Sequence, residues 1–153
     1  RTCRVTSFNP AAISSTVLSL AVTADAVYIG GAFQTVGGQP RRSFAKLSRT
    51  GALDTSFVAN AYGATTSSYS QTVEPNKNAR GTAIALSPTG DRVVIGGDFN
   101  IRDPAIPGFA AAPGAPNVDH VLASGASPGG IERLDRGSLS DHVPILAEVR
   151  LGP

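Results

Sequence analysis

The sequence predicts a mainly β fold built from short antiparallel strands. Three observations predict it. Seventeen glycines and eleven prolines in 153 residues cut the chain into pieces too short for long helices. β-Branched residues fall in runs of four to eight, the length of ordinary strands. A pattern of strands and turns also occurs twice. Hydrophobic content of 41% supports a core of Val, Ile, Leu, Ala and Phe, with no Trp or Met, and a chain this long normally forms one domain.

The two copies are "TSFNPAAISSTVLSLAVTADAVYIGGAF" over Thr6–Phe33 and "TSFVANAYG…ARGTAIALSPTGDRVVIGGDF" over Thr55–Phe99. Each opens on Thr-Ser-Phe and a polar stretch containing Asn. In the first, Val17–Val22 alternates apolar and polar positions and reads as a strand. Thr23–Asp25 is a turn, and the next strand ends Ile-Gly-Gly-x-Phe at Phe33. Gly37-Gly38 is a second turn, Arg42–Leu47 alternates again, and Ser48–Gly51 turns once more. The second copy carries a Ser/Thr/Asn-rich insert at Ala64–Asn78, then a strand at Thr82–Leu86, a turn at Ser87–Asp91 and the strand that ends at Phe99. Three or four short antiparallel strands per unit is the layout of a propeller blade.

The stretch "VYIGGAFQTVGGQPRRSFAKLSRTGALDTSF" resembles the delta-60 family of bacterial β-propeller-type repeats. The Gly-Gly-x-Phe hairpin, the Gly-Gln-Pro turn and the closing Leu-Asp-Thr-Ser-Phe carry the resemblance, which extends over roughly residues 5–99. It implies an extracellular or cell-surface β-rich array, and it implies no catalytic residues.

The repeat stops at Phe99. Ile106–Asn117, with three prolines, reads as a loop. Val118–Ala123 reads as a strand, Ser124–Gly130 as a loop and Ile131–Asp135 as a short strand. Ser138–His142 is a turn, and Val143–Leu151 is a strong final strand. "GGDFN" (Gly96–Asn100), "VDHVLAS" (Val118–Ser124) and "LSDHVPILAEV" (Leu139–Val149) together resemble the C-terminal part of the endonuclease/exonuclease/phosphatase superfamily. The fold of that family is the DNase-I-like α/β sandwich, and the resemblance covers about residues 93–152. The predicted organisation is therefore propeller-type repeats over 1–99 and a partial phosphoesterase segment over 93–153. "VVIGGDFN" is common to both, so a recombination, a fusion or an assembly error can join them there. The fold expected is mainly β: antiparallel repeat hairpins followed by the C-terminal strands of an incomplete sandwich.

The residues suggest chemistry without the family. Asp98 and Asn100 are two apart at a strand end, so both side chains leave one face. The first can orient or deprotonate a water, and the second can hold a phosphate oxygen. Asp141 is a hard oxygen ligand suited to Mg²⁺ or Mn²⁺. His142 is of the one residue type whose unperturbed pKa lies near neutrality, and Asp119 can accept its Nδ1–H and fix the tautomer. The resemblance implies the same roles: Asp98, Asn100, Asp119 and His142 catalytic, Asp141 assisting the metal. Such sites act mainly by electrostatic stabilisation of a phosphoryl transition state.

Competing readings stand beside these. The first copy has Ala32 and Gln34 where the second has Asp98 and Asn100, so Asp98 also reads as a turn residue. His120 alternates with Asp119 and is expected to face away from any site. Arg133 and Arg136 read as solvated, Asp103 before Pro104 as a turn residue, and Cys3 as a bystander unable to form an internal disulfide. The family's first half supplies an Asn and a metal-binding Glu before "GDFN". Here that space holds repeats, and Glu74 matches no such motif.

Net charge of +2 is too small to imply a nucleic-acid partner by itself. Eight Lys/Arg and three Asp/Glu lie in residues 1–80, against five and eight in 81–153, a division that two origins or chance would produce equally. No apolar run is long enough to span a bilayer, and the first thirty residues carry no signal-peptide pattern. Starting at Arg1, the chain reads as an internal piece of a larger, bacterial protein. Two functions are expected from different classes. One is a Mg²⁺- or Mn²⁺-dependent phosphodiesterase or phosphatase, weak or inactive in this chain alone, acting on a phosphoester with nucleic acid among the candidates. The other is a non-catalytic extracellular repeat module, a scaffold or binding surface, with open sheet edges that favour self-association.

Overall fold

The computed structural model describes residues 8–59, 62–63, 80–100, 104–115, 118–135, 137–138 and 142–150. The described residues form strands and no helix: β1 (Val17–Val22), β2 (Ala26–Gly31), β3 (Thr35–Val36), β4 (Gln39–Pro40), β5 (Phe44–Ser48), β6 (Tyr62–Gly63), β7 (Arg80–Leu86), β8 (Val93–Asp98), β9 (Pro104–Ala105), β10 (Phe109–Ala111), β11 (Asp119–Ser124), β12 (Ser127–Arg133) and β13 (Ile145–Arg150). All pairings are antiparallel and no sheet closes on itself. The mainly β expectation holds.

Two sheets carry the fold, with strand orders β1-β2-β5 and β10-β11-β8-β7. They repeat one plan. In the first, Val17 faces Gly31 and Ser19 faces Gly30, with a bulge between them; Leu20 then faces Ile29 and Val22 faces Val27. In the second, Gly81 faces Gly97 and Ala83 faces Gly96, with the bulge at the same place; Ile84 then faces Ile95 and Leu86 faces Val93. The third strand repeats too. β5 sets Phe44 against Gly30 and Ala45 against Ile29, while β11 sets Val121 against Gly96 and Leu122 against Ile95. β11 therefore holds in the second sheet the place that β5 holds in the first.

Residues facing each other across a ladder share a face of the sheet. Ala26, Tyr28 and Phe44 lie on one face of the first sheet and pack against Val93, Ile95, Phe99 and Leu122 of the second. Ile84 and Leu86 of β7, Ala21 of β1 and Phe57 complete this inter-sheet core. The opposite face of the first sheet carries Ile29, Ala45 and Leu47, covered by Phe33, Val36 and Ile13. The second sheet thus stacks one face on the far side of the first, head to tail.

The connections follow local chemistry. Thr23 Oγ1 accepts the amide of Ala26 at 2.9 Å and closes the β1–β2 turn. Gly37 and Gly38, at φ +58° and +75°, supply the left-handed pair that a two-residue hairpin between β3 and β4 needs. The predicted strand at Arg42–Leu47 begins only at Phe44, because Ser43 takes φ +69° and breaks the extended run.

The Leu-Asp-Thr-Ser-Phe end of the repeat is held by Asp54. Its Oδ1 accepts the Ser56 amide at 2.9 Å and the Ser56 hydroxyl at 2.6 Å, and Oδ2 pairs with Lys46 Nζ at 3.0 Å. The Ser56 hydroxyl first, and then Lys46, lower the Asp54 carboxyl to about 2. A carboxyl depressed in the folded state stabilises above its unfolded value, near 3.8, and that contribution is lost as pH falls through about 2. Asp54→Ala is expected to cost about 1–2 kcal/mol at neutral pH. Asn, which keeps the acceptor, should cost less. Denaturation of the three proteins at pH 7 and near pH 2 checks this: the gap between parent and Asp54→Ala should narrow in acid.

Several sequence expectations are corrected. The stretch predicted as loop at Ile106–Asn117 contains β10, which pairs with β11. The predicted loop at Ser124–Gly130 gives its last four residues to β12, which runs on to Arg133. β11 pairs with β8, and the final strand β13 pairs with β12. Eleven residues separate β12 from β13, so their ladder closes a smaller loop than a pairing of β13 with β8 would. The insert at Ala64–Asn78 lies outside the described residues.

Candidate functional site

β8 and β11 run side by side and end together, with Asp98 directly opposite Asp119. Both side chains therefore leave the face that carries Gly96 and Val121. His142, just before β13, reaches the same place: its Nδ1 lies 2.8 Å from Asp119 Oδ2. The Asp119 side chain is mostly buried, at 20% exposure, and His142 is nearer half-exposed, at 43%. Thr82, Ala83, Gly96, Asp119, His142 and Pro144 border a cleft of about 370 Å³. Three of the residues singled out in the sequence, Asp98, Asp119 and His142, thus gather at one sheet end.

Asn100 arrives differently from the expectation. It does not continue the strand beyond Asp98 but turns into the left-handed region at φ +52°, which Asn tolerates better than most residues. Asp98 Oδ1 accepts the Asn100 amide at 2.8 Å, and Oδ2 accepts its side-chain Nδ2 at 3.1 Å. This is the turn that Asp and Asn make with their own backbone. The first unit shows why an acceptor is needed there. Its residue at that position is Ala32, and the amides of Gln34 and Thr35 donate instead to Ser14 Oγ, each at 3.0 Å. Asp98 in the second unit does what Ser14 does in the first.

The remaining candidates divide. His120 is 3% exposed and sits edge-on to Phe99 with ring centroids 5.9 Å apart, on the face away from Asp119. Arg133 is exposed. Asp141, the predicted metal ligand, lies outside the described residues, as do Cys3, Glu74, Asp103 and Arg136. Among the described residues no three His, Cys, Asp or Glu side chains converge to hold a metal ion. Asp98 has both oxygens engaged by Asn100, and Asp119 has one engaged by His142.

Compared with known protein families, residues 27–57 match the family described as "Domain of unknown function (DUF5122) beta-propeller". That stretch runs from β2 through β5 and the Asp54 turn to Phe57. The match supports the propeller part of the sequence reading, and no match supports the phosphoesterase part. No curated protein matches the chain, and no solved structure matches it. No helix among the described residues is long and apolar enough to cross a membrane.

Sequence reasoning passed over one feature with a clear structural role. It read "VDHVLAS" as a phosphoesterase strand and "RRSFAKL" as a repeat strand. In the sheets, Asp119 precedes Val121 by the same two residues as Arg42 precedes Phe44, and both stretches serve as third strands. The signal was weak, because only their apolar alternation is shared.

Proposed function

We propose that this chain is a non-catalytic β-propeller-type repeat module that serves as a scaffold or binding surface. The observation that carries the reading is the repeated sheet. Strand order, register and bulge recur from β1-β2-β5 to β7-β8-β11, and the family match covers β2 and β5 of the first sheet. The Asp98 carboxylate, one of the candidate catalytic groups, has a structural use in the turn it closes. On this reading the module works outside a bacterial cell or at its surface, as the delta-60 resemblance implies.

A second reading is favoured by a different observation, the Asp119–His142 pair beside Asp98 on an open cleft. A carboxylate holding the Nδ1 side of an imidazole is a common arrangement for a general base. It would suit a phosphoester hydrolase using Mg²⁺ or Mn²⁺, with Asp98 and Asn100 at the attacking water, Asp141 assisting the metal, and a phosphodiester or nucleic acid as substrate.

Hydrolysis of bis-p-nitrophenyl phosphate and of plasmid DNA, with Mg²⁺ or Mn²⁺, separates the two. The parent chain, Asp98→Ala and His142→Ala are assayed side by side. The module reading expects no turnover in any of them and no metal-specific rise in Tm. Turnover in the parent that both substitutions abolish would establish the hydrolase instead.

A further inference from the structure

The β12–β13 ribbon stands apart from the two stacked sheets. Among the described residues it pairs with no other strand. No residue of either strand is buried, and Leu134 and Leu146 are exposed. β8 and β11 beside it bury Val93, Ile95, Leu122 and Ala123. A two-stranded ribbon is marginally stable alone, and a segment that buries little apolar surface opens at low cost.

Its attachments suit movement. Gly125 and Ala126 alone link β11 to β12, and Gly125 takes φ +56°. A link this short ordinarily leaves its two strands paired as a hairpin. Here β12 leaves the sheet instead, and the ribbon lies against the face that carries Gly96, Val121 and Ala123. Clefts separate the two at both ends of β11. Near the link, Ser127 and Arg150 of the ribbon border a cleft of about 580 Å³ with Ala110 and Ala123 of the sheet. At the other end, His142 and Pro144 border the 370 Å³ cleft with Gly96, Asp119 and Val121. Among the described residues, two contacts tie the ribbon down. The Ile131 amide donates to the Pro113 carbonyl at 3.1 Å, and His142 Nδ1 meets Asp119 Oδ2 at 2.8 Å.

We propose that the β12–β13 ribbon is a flap, hinged at Gly125 and Ala126 and latched by the Asp119–His142 pair, that opens and closes the cleft over Gly96 and Val121. The latch sits at the end of β11 opposite the hinge, where one contact decides whether the cleft is shut. Asp119 is 20% exposed, so the contact is partly shielded from water and holds better than a pair on the open surface. Access is gated in this way whether the cleft binds a ligand or turns one over, and the test needs no turnover.

Thiol labelling of the whole chain, in a Cys3→Ser background, reads the opening. Ala123→Cys places a thiol on the covered face of β11, where the parent residue is 0% exposed. Ala45→Cys, at a position 1% exposed in the core of the first sheet, is the reference. N-ethylmaleimide is expected to label position 123 about tenfold or more faster than position 45, because lifting a flap costs less than unfolding a sheet. Asp119→Ala and His142→Ala each remove the latch. Either should speed labelling at 123 about fivefold or more and leave 45 unchanged. Two latch variants keep the test open if one fails to fold, which far-ultraviolet circular dichroism shows. Equal labelling at the two positions in the parent overturns the proposal, since the ribbon then opens only with the whole fold. So does a latch variant that speeds both positions alike, and so does labelling at 123 that is unchanged in the folded latch variants.

Discussion

Phe44→Ala is expected to destabilise the fold by about 3–5 kcal/mol, the usual cost of removing a fully buried aromatic ring. Phe44 is 1% exposed and lies in β5 on the face where the two sheets meet. Its ring stacks on Phe99 of the second unit with centroids 6.0 Å apart and planes 28° apart. It also covers Gly81, the glycine of β7. Removing it leaves a cavity shared by both sheets, so neither sheet alone can relax to fill it. Urea unfolding of the variant, analysed for both midpoint and slope, is the check. A loss under about 1 kcal/mol would mean that the sheets do not pack through this ring. A changed slope would indicate that the two units have begun to unfold separately.

Gly81→Ala is the second large effect, expected at about 1–3 kcal/mol by overpacking. A Cβ on Gly81 would stand 2.5 Å from Phe44 Cε1 and Cζ and 2.7 Å from the Ser43 carbonyl oxygen. The ring can yield a little, but the backbone oxygen cannot move without shifting β5. Glycine is required here because β7 passes close to the first sheet at this point, and not for any turn. Phe44→Leu should relieve part of the clash, so the double variant should be less destabilised than the sum of the singles. Gly130→Ala is the control: nothing lies within 4 Å of the added methyl, and its cost should be near zero. Equal melting temperatures for Gly81→Ala and Gly130→Ala would rule out the close approach of the sheets.

The two glycine-rich strands illustrate what could be read in the chain before its structure. The apolar alternation of Val17–Val22 and the runs into Gly-Gly-x-Phe predicted the β1–β2 and β7–β8 hairpins, because each depends on neighbours close in sequence. The double glycine at 37–38 predicted its turn for the same reason. The site was only partly legible. Asp119 and His142 stood out as residue types, and they meet at 2.8 Å. That Asp98 closes a turn on Asn100 was visible only as an alternative, suggested by Ala32 in the first copy. The hydrogen bonds between Asp98 and Asn100 are set by the backbone's entry into the left-handed region at Asn100.

The strand-rich class, the two repeat copies and the local turns follow from the order of residues alone, because side-chain alternation and turn chemistry act over a few residues. Only the tertiary structure decided which strand is third in each sheet, which face of each sheet is covered, and that Phe8, Leu20 and Val22 are left outside while Phe57, Ile84 and Leu86 are packed. Those outcomes depend on contacts between segments far apart in the chain. The same apolar residue at the same repeat position is core in one unit and surface in the other, according to whether a neighbouring sheet lies against it.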